Sequence, residues 1–84
     1  MAISKNFTSN TPVLVSTKKR IGKIIEERRN ELMIDVATLS DYSSVSTSLI
    51  SNIQNGKSNA TLETLEKLGD ILGLELTFII KKKG

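Results

Sequence analysis

The sequence predicts a mainly all-α fold, in which four to five short helices form one compact domain and a single β-strand follows them. Three observations predict it. Apolar residues recur at spacings of three and four across residues 16–73, which is the periodicity of amphipathic helices. A Ser, Thr or Asp stands just before each periodic run, where such residues cap helices. Beyond residue 73 apolar and polar residues alternate, as they do in a strand.

The first helix is predicted to begin at Ser16 and to end near Asn30 or Glu31, where its helical periodicity stops. Residues 1–15 are polar, hold the only Pro and lack this periodicity, so we interpret them as a flexible N-terminal arm. Within the arm, residues 12–15 are a candidate short strand. The predicted organisation is an arm at 1–15, a helical domain at 16–73, and a C-terminal strand with a basic tail at 74–84.

Two short helices follow in close succession. Asp35 is predicted to cap the second helix, with Ile34 just before the cap packing on Leu39 in the first turn. Ser46 caps the third helix in the same way, and Gly56 lies just beyond its predicted end. The two helices are therefore expected to lie three or four residues apart.

The fourth helix is predicted to begin after the cap Thr61 and to end at Gly73. Its leucines recur on one face and are predicted to be core: Leu62, Leu65, Leu68 and Leu72. Gly69 lies inside this helix at a cost of about 1 kcal/mol relative to Ala, so we expect another helix to pack closely against it.

The predicted strand places Leu74, Leu76, Phe78 and Ile80 on one face. A strand needs a pairing partner for its backbone groups, and the sequence leaves two options. One is residues 12–15 of the same chain, and the other is the same strand of a second copy. We favour the second copy, because a chain of 84 residues buries a small core and a homodimer would enlarge it.

Composition and charge exclude several classes of function. The chain has no Cys and no His, which excludes thiol or imidazole chemistry and the usual zinc ligands, so we expect no enzyme, metal or cofactor. No apolar stretch approaches the roughly 20 residues of a membrane span, and neither end resembles a signal peptide, so we expect a cytoplasmic protein without membrane contact.

The charges are unevenly distributed along the chain. Residues 1–30 carry seven basic and two acidic side chains, residues 31–80 carry two basic and seven acidic ones, and three lysines follow at 81–83. The basic ends are able to bind a polyanion such as nucleic acid. A solvated helix face and a solubilising tail are the alternative interpretation, which we favour for the tail alone.

The second and third predicted helices share apolar positions that two helices crossing over a tight turn need. These positions are Leu39, Val45, Ile50 and Ile53, and residues 40 and 43 are small serines. This spacing is typical of a helix-turn-helix unit, whose second helix enters the major groove of DNA.

Residues 17–73 resemble the XRE/Cro-type helix-turn-helix family throughout. The motifs that carry the resemblance are Ile21-Gly22, Ile25 and Arg29, then Ile34, Leu39, Val45-Ser46, Ile50-Ser51, Ile53-Gln54-Asn55-Gly56-Lys57 and Asn59-Ala60-Thr61-Leu62-Glu63-Thr64-Leu65. The resemblance implies a lambda-repressor-like fold and double-stranded DNA as the partner.

The resemblance also implies which residues contact DNA. The side chains that face bases are Thr47, Ser48 and Asn52. The positions against the DNA backbone are Val36, Asn55 and Lys57. Further phosphate or base contacts are predicted for Ser46 and Ser51. An Asn side chain can pair bidentately with adenine and hydroxyls can serve any base, which fits these roles.

The chain departs from the family pattern at several positions. Val36 replaces a Gln that usually touches the DNA backbone, and Ser44 replaces a turn Gly, where a left-handed backbone would cost Ser about 1 kcal/mol. Gln54 replaces a Glu, so its partner Arg29 is expected to make an ion–dipole hydrogen bond. Residues 46–53 contain no Lys or Arg. Base discrimination should then depend on Asn52, hydroxyls and DNA shape, and affinity on Lys57, the start of the first helix and a second subunit.

The C-terminal strand resembles that of HipB-type antitoxins, in which two copies pair across the dimer axis. The leading hypothesis is therefore a dimeric, sequence-specific transcriptional regulator, in particular a repressor that binds an inverted repeat. A narrower version is an autoregulating antitoxin with a cognate toxin as a second partner. The alternative is a protein-interaction module that holds a toxin or transcription partner and binds DNA weakly.

Overall fold

A computed structural model describes residues 16–81 of the chain and contains four helices there. They are α1 (Thr17–Glu31), α2 (Val36–Ser43), α3 (Thr47–Gln54) and α4 (Leu62–Leu72). Helix α1 packs against α3 and α4, and α2 packs against the same two helices. The mainly helical fold predicted from the sequence is therefore confirmed. In these residues no helix is long and apolar enough to cross a membrane.

Helices α2, α3 and α4 begin after the caps that the sequence predicts, Asp35, Ser46 and Thr61, and the structure adds Ser16 as the cap of α1. The four cap side chains accept a hydrogen bond from the backbone N–H three residues further on, as Ser16 from Lys19 (3.2 Å), Asp35 from Thr38 (2.8 Å), Ser46 from Leu49 (3.1 Å) and Thr61 from Thr64 (3.1 Å). These bonds satisfy amide groups that a helix start leaves without an intrahelical partner.

The Asp35 cap makes the stability of the domain dependent on pH. The backbone N–H of Thr38 and then its hydroxyl hold the pKa of the Asp35 carboxyl below its ordinary value of 3.8. Because the folded pKa is lower than the unfolded one, this stabilisation is fully present above the unfolded pKa and disappears as the pH falls through the folded pKa.

We therefore expect wild-type protein to melt at a higher temperature than Asp35→Asn at neutral pH, because a charged acceptor makes the stronger cap. Asn keeps a neutral cap at every pH. The difference in melting temperature should shrink in acid, which thermal unfolding followed by circular dichroism would measure. A difference that does not vary with pH would contradict this role of Asp35.

The core receives side chains from all four helices. Its buried members are Ile25, Leu39, Val45, Ile50, Ile53, Leu68 and Leu72. Leu65 is partly buried against this core. The prediction that Leu62 belongs to the core is wrong, since Leu62 is 67% exposed. Leu62 is the first residue of α4, and helical side chains point toward the helix N-terminus, so its side chain extends past the end of the helix.

The turn between α2 and α3 has the left-handed residue that the family pattern implies. Ser44 has φ 63°, and its backbone N–H donates to Ser40 O at 2.9 Å. The buried Ser43 hydroxyl donates to Leu39 O at 2.7 Å and accepts the Val45 N–H at 3.2 Å. Ser43 therefore satisfies the backbone inside the turn, so this buried polar side chain carries no unpaired hydroxyl.

Gly69 is approached closely, but by a different group from the one predicted. A Cβ at this position would lie 2.6 Å from the carbonyl oxygen of Leu74. The chain turns back at Gly73, where φ is 72°, and the Leu74 N–H donates to Gly69 O at 2.8 Å. The segment that follows α4, and not another helix, explains this glycine.

Residues 74–81 form no strand in the described part of the chain, so the predicted C-terminal strand and its pairing stay a prediction. Leu74 packs against the core, whereas Leu76, Phe78 and Ile80 are 44%, 99% and 92% exposed. A strand exists only where its backbone pairs with another strand, and residues 16–81 bring none beside this segment. The predicted arm and its candidate strand at residues 12–15 lie outside the described residues.

Candidate nucleic-acid interface

Helix α3 has one buried face and one exposed polar face. Ile50 and Ile53 are buried in the core, at 0% and 4% exposed. Ser48 and Asn52 are one turn apart on the opposite face and are exposed, and Thr47 is exposed at the start of the helix. The three side chains predicted to face bases therefore lie together on the surface of one helix.

The start of α3 presents a further hydroxyl. Ser46 is exposed, and its side-chain oxygen accepts the Leu49 N–H at 3.1 Å. A hydroxyl that accepts as a cap still has its own O–H to donate, for example to a phosphate oxygen. Ser51, one turn after Thr47, is partly exposed beside Asn52.

A tight turn at the end of α3 carries two of the three positions predicted against the DNA backbone. Asn55 and Lys57 are exposed on either side of Gly56, whose φ is 71°. The Lys57 N–H donates to Asn52 O at 2.9 Å, which joins the turn to the base-facing part of α3. The turn therefore places an amide and an ammonium group next to that face.

Helix α1 adds a lysine to this turn that the sequence reasoning did not identify. A Cβ on Gly56 would lie 2.6 Å from Lys19 Cγ, so the Lys19 side chain runs directly over Gly56. One shallow depression between α1 and α3 is lined by two lysines, two glutamates and three amide side chains: Lys19, Lys23, Glu26, Glu27, Asn30, Gln54 and Asn55. The excess of basic side chains in the first 30 residues indicated a basic contribution from this part of the chain, but it did not identify the lysine that contacts α3.

Val36 has fewer groups that can contact DNA than the other predicted residues have. It is the first residue of α2 and packs, partly buried, against the core. Its side chain has no polar atom, so a DNA contact there would have to come from a backbone N–H at the helix start. The carboxylate of Asp35 lies immediately before it, where it would repel a phosphate.

The two arginines of α1 hold the framework together. Arg29 Nε donates to Gln54 Oε1 at 2.9 Å, and its Nη1 donates to Ile34 O at 2.9 Å, which confirms the predicted ion–dipole bond. Arg28 Nε donates to Leu72 O at 2.8 Å and pairs with Glu31 at 3.2 Å. Both guanidinium groups are therefore occupied by internal contacts.

Gly22 sets how closely α3 lies against α1. It is buried, and a Cβ there would overlap the carbonyl oxygen of Ile53 and lie 2.7 Å from that of Gln54. The backbone of α3 thus touches the backbone of α1 at this point. The orientation of the exposed face of α3 depends on this contact.

A family model described as helix-turn-helix matches residues 25–79, which is more than half of the chain. The matched region contains every predicted contact residue, from Val36 to Lys57, and extends past α4. No curated protein matches the chain.

Proposed function

Because the chain belongs to the XRE/Cro-type helix-turn-helix family of DNA-binding regulators, we propose that it is a dimeric repressor that binds an inverted repeat through α3. The observation that carries the proposal is the exposed polar face of α3, opposite its buried Ile50 and Ile53. A helix with one face in the core and the other free can enter the major groove without disturbing the fold. A cytoplasmic location is part of the same proposal.

Base recognition is assigned to the side chains on that face. Asn52 can donate to and accept from the N6 and N7 edge of adenine in one bidentate contact. Thr47, Ser48 and Ser51 add hydroxyls, which donate or accept according to the base that they meet. Since α3 carries no Lys or Arg, sequence-dependent DNA shape contributes the rest of the discrimination.

Affinity is assigned to the groups around the two ends of α3. Ser46 donates to phosphate at its start, while Asn55 and Lys57 contact phosphate beyond its end. We add Lys19 to this set because it lies over Gly56, between α1 and the same turn. In a plot of log affinity against log salt concentration, each phosphate that the protein neutralises makes the slope more negative by about 0.9.

Dimerisation is assigned to the segment after α4. Antiparallel pairing of two copies would satisfy its backbone and cover its four alternate apolar residues, Leu74, Leu76, Phe78 and Ile80. It would also fix the two α3 helices at one separation, about 34 Å for half-sites one helical turn apart. A narrower proposal, an antitoxin that represses its own operon and binds a cognate toxin, depends on this segment alone.

A second candidate function is a protein-interaction module with weak DNA binding. The uncharged α3 and the exposed Phe78 and Ile80 favour it. Replacing Asn52 and Lys57 separates the two candidates. Loss of DNA binding with partner binding intact supports the regulator, whereas no effect on function supports the interaction module.

Asn52→Ala is expected to reduce the preference for the specific site over a scrambled duplex by about 10- to 100-fold, since one good bidentate contact discriminates by about 1–3 kcal/mol. Affinity for the scrambled duplex should hardly change, because the phosphate contacts remain. Fluorescence anisotropy with both duplexes at one salt concentration would measure the two constants.

The matched control is Asn30→Ala, which removes the same side chain from an exposed position at the end of α1. It should bind both duplexes as the wild type does. Equal losses for Asn52→Ala on the specific and the scrambled duplex would contradict base recognition by this residue.

A further inference from the structure

A groove of about 730 Å³ lies between α1 and α4 beside the segment that follows α4. Its lining includes Ile24, Leu74 and Leu76, and Ile24 and Leu76 remain 50% and 44% exposed. Three exposed acidic side chains also line it: Glu66, Asp70 and Glu75. Among residues 16–81 none of these three carboxylates forms an ion pair. The groove therefore combines apolar side chains with three exposed carboxylates, which we call its acidic border.

The same chain carries an apolar segment that leaves this groove. Phe78, Ile79 and Ile80 follow Leu76 and are 99%, 86% and 92% exposed. A reversal of the chain takes four residues, so folding back into the groove would use up residues 77–80 in the turn itself. This segment is too short to fill the groove of its own chain.

We propose that the C-terminal segment of a second copy lies along this groove, antiparallel to the first segment and with the two Thr77 residues opposite each other. The inference rests on the dimer of the proposed function and specifies its register and its contact surface. An exchange of identical segments gives two equal contacts related by a two-fold axis.

The apolar pattern selects this register. The residues Leu74, Leu76, Phe78 and Ile80 are symmetric about position 77. Leu74 then lies opposite the partner's Ile80, and Leu76 lies opposite the partner's Phe78. A slip of one residue would set Glu75 opposite Phe78. A slip of two would set Ile80 opposite Leu72, which is buried in α4, or Leu74 opposite Lys82.

Charge supports the partner's segment as the occupant. In this register the partner's Lys81 lies opposite Gly73, at the end of α4 near the acidic border of the groove. The residues that follow Ile80 are three lysines, against three carboxylates at the border. Residues 1–15, the other candidate occupant, contain one lysine and no further charged residue. They complement the border less well.

Disulfide cross-linking tests the register, because the chain has no Cys and each variant therefore carries one defined thiol. Full-length Thr77→Cys should form a disulfide-linked dimer on mild oxidation. Ile79→Cys alone should not, since the two thiols would lie about 13 Å apart along the strands, beyond the reach of a disulfide. Ile79→Cys mixed with Glu75→Cys should form a mixed dimer, because these positions face each other.

Charge exchange tests the contact with the groove. One variant reverses the tail (Lys81→Glu, Lys82→Glu, Lys83→Glu) and the other reverses the border (Glu66→Lys, Asp70→Lys, Glu75→Lys). Each alone should raise the dimer dissociation constant about tenfold at low salt. An equimolar mixture should form mixed dimers close to wild-type affinity, as native mass spectrometry or sedimentation equilibrium would show.

The control for the border variant is Glu26→Lys with Glu27→Lys and Asp41→Lys, which makes the same charge change on exposed positions of α1 and α2. It should leave the dimer unchanged. An unchanged dimer dissociation constant in both charge-reversal variants would overturn the groove contact. Disulfide formation by Ile79→Cys alone would overturn it as well. Neither result would contradict dimerisation itself. A wild-type chain that sediments as a monomer would overturn dimerisation as well.

DNA binding is measured separately in the same variants. A duplex that holds one half-site reports on α3 without the dimer, since a single protomer occupies it. Wild-type half-site affinity in the tail and border variants, together with a weakened dimer, is the expected result.

Discussion

Gly22→Ala is expected to lower the free energy of unfolding by about 2–3 kcal/mol. The added methyl group would overlap the carbonyl oxygen of Ile53, which belongs to the backbone of α3 and cannot rotate away. Helix α3 would have to move off α1 and loosen the packing of Ile25 against Ile50 and Ile53. Ala normally favours a helix interior by about 1 kcal/mol over Gly, so this effect has the opposite sign to helix propensity.

Urea unfolding followed by circular dichroism measures the change, as a lower midpoint at an unchanged slope. Lys23→Ala is the control, because Lys23 is the next residue of α1 and is exposed. It should change stability by no more than about 0.5 kcal/mol. A Gly22→Ala protein as stable as the wild type would contradict the close contact of α1 with α3.

Phe78→Asp combined with Ile80→Asp is expected to raise the dimer dissociation constant at least about 100-fold, because it would bury two carboxylates in an apolar contact. Unfolding of the monomer should not change, since both side chains are more than 90% exposed in the described chain. Binding to an inverted repeat should weaken with the dimer, because a single protomer occupies one half-site.

Sedimentation equilibrium and full-site DNA titrations measure the two effects. The control is Met33→Asp with Leu62→Asp, which replaces two other exposed apolar residues, at 91% and 67%. That variant should remain a dimer. An unchanged dissociation constant in the Phe78 and Ile80 variant would remove this segment from the interface.

The helix starts are predictable from the sequence because capping is a local interaction. Ser46, for example, needs only its own hydroxyl and the N–H three residues later. The roles of Leu62 and Gly69 were not predictable in the same way. Whether Leu62 is covered, and which group approaches Gly69, depends on the path of the chain beyond the helix, which a periodic pattern does not contain.

The C-terminal segment shows the limit of a period-two pattern. The alternation of Leu74, Leu76, Phe78 and Ile80 identifies a face, but not the strand that pairs with the backbone. In the described chain, where no other strand lies beside it, the segment has no regular hydrogen bonds. Its exposed apolar side chains are the reason that we assign it to an interface.

The parts of the candidate interface that follow from the positions of the family pattern were predictable from the sequence. The Arg29–Gln54 contact follows from two positions of the family pattern, and the structure confirms it at 2.9 Å. Lys19 was not predictable, because three lysines and an arginine lie within the first two turns of α1. Which of them meets Gly56 depends on how α1 crosses α3 at Gly22.

The most direct test of the central claim, DNA recognition by a dimer through α3, is a titration of the full-length protein against two duplexes of equal length. One carries the DNA upstream of its own gene and the other a scrambled sequence. At physiological salt we expect the upstream duplex to bind at least about 1,000-fold more tightly, with two protomers per site. Equal and weak binding to both duplexes that disappears at physiological salt would contradict the claim.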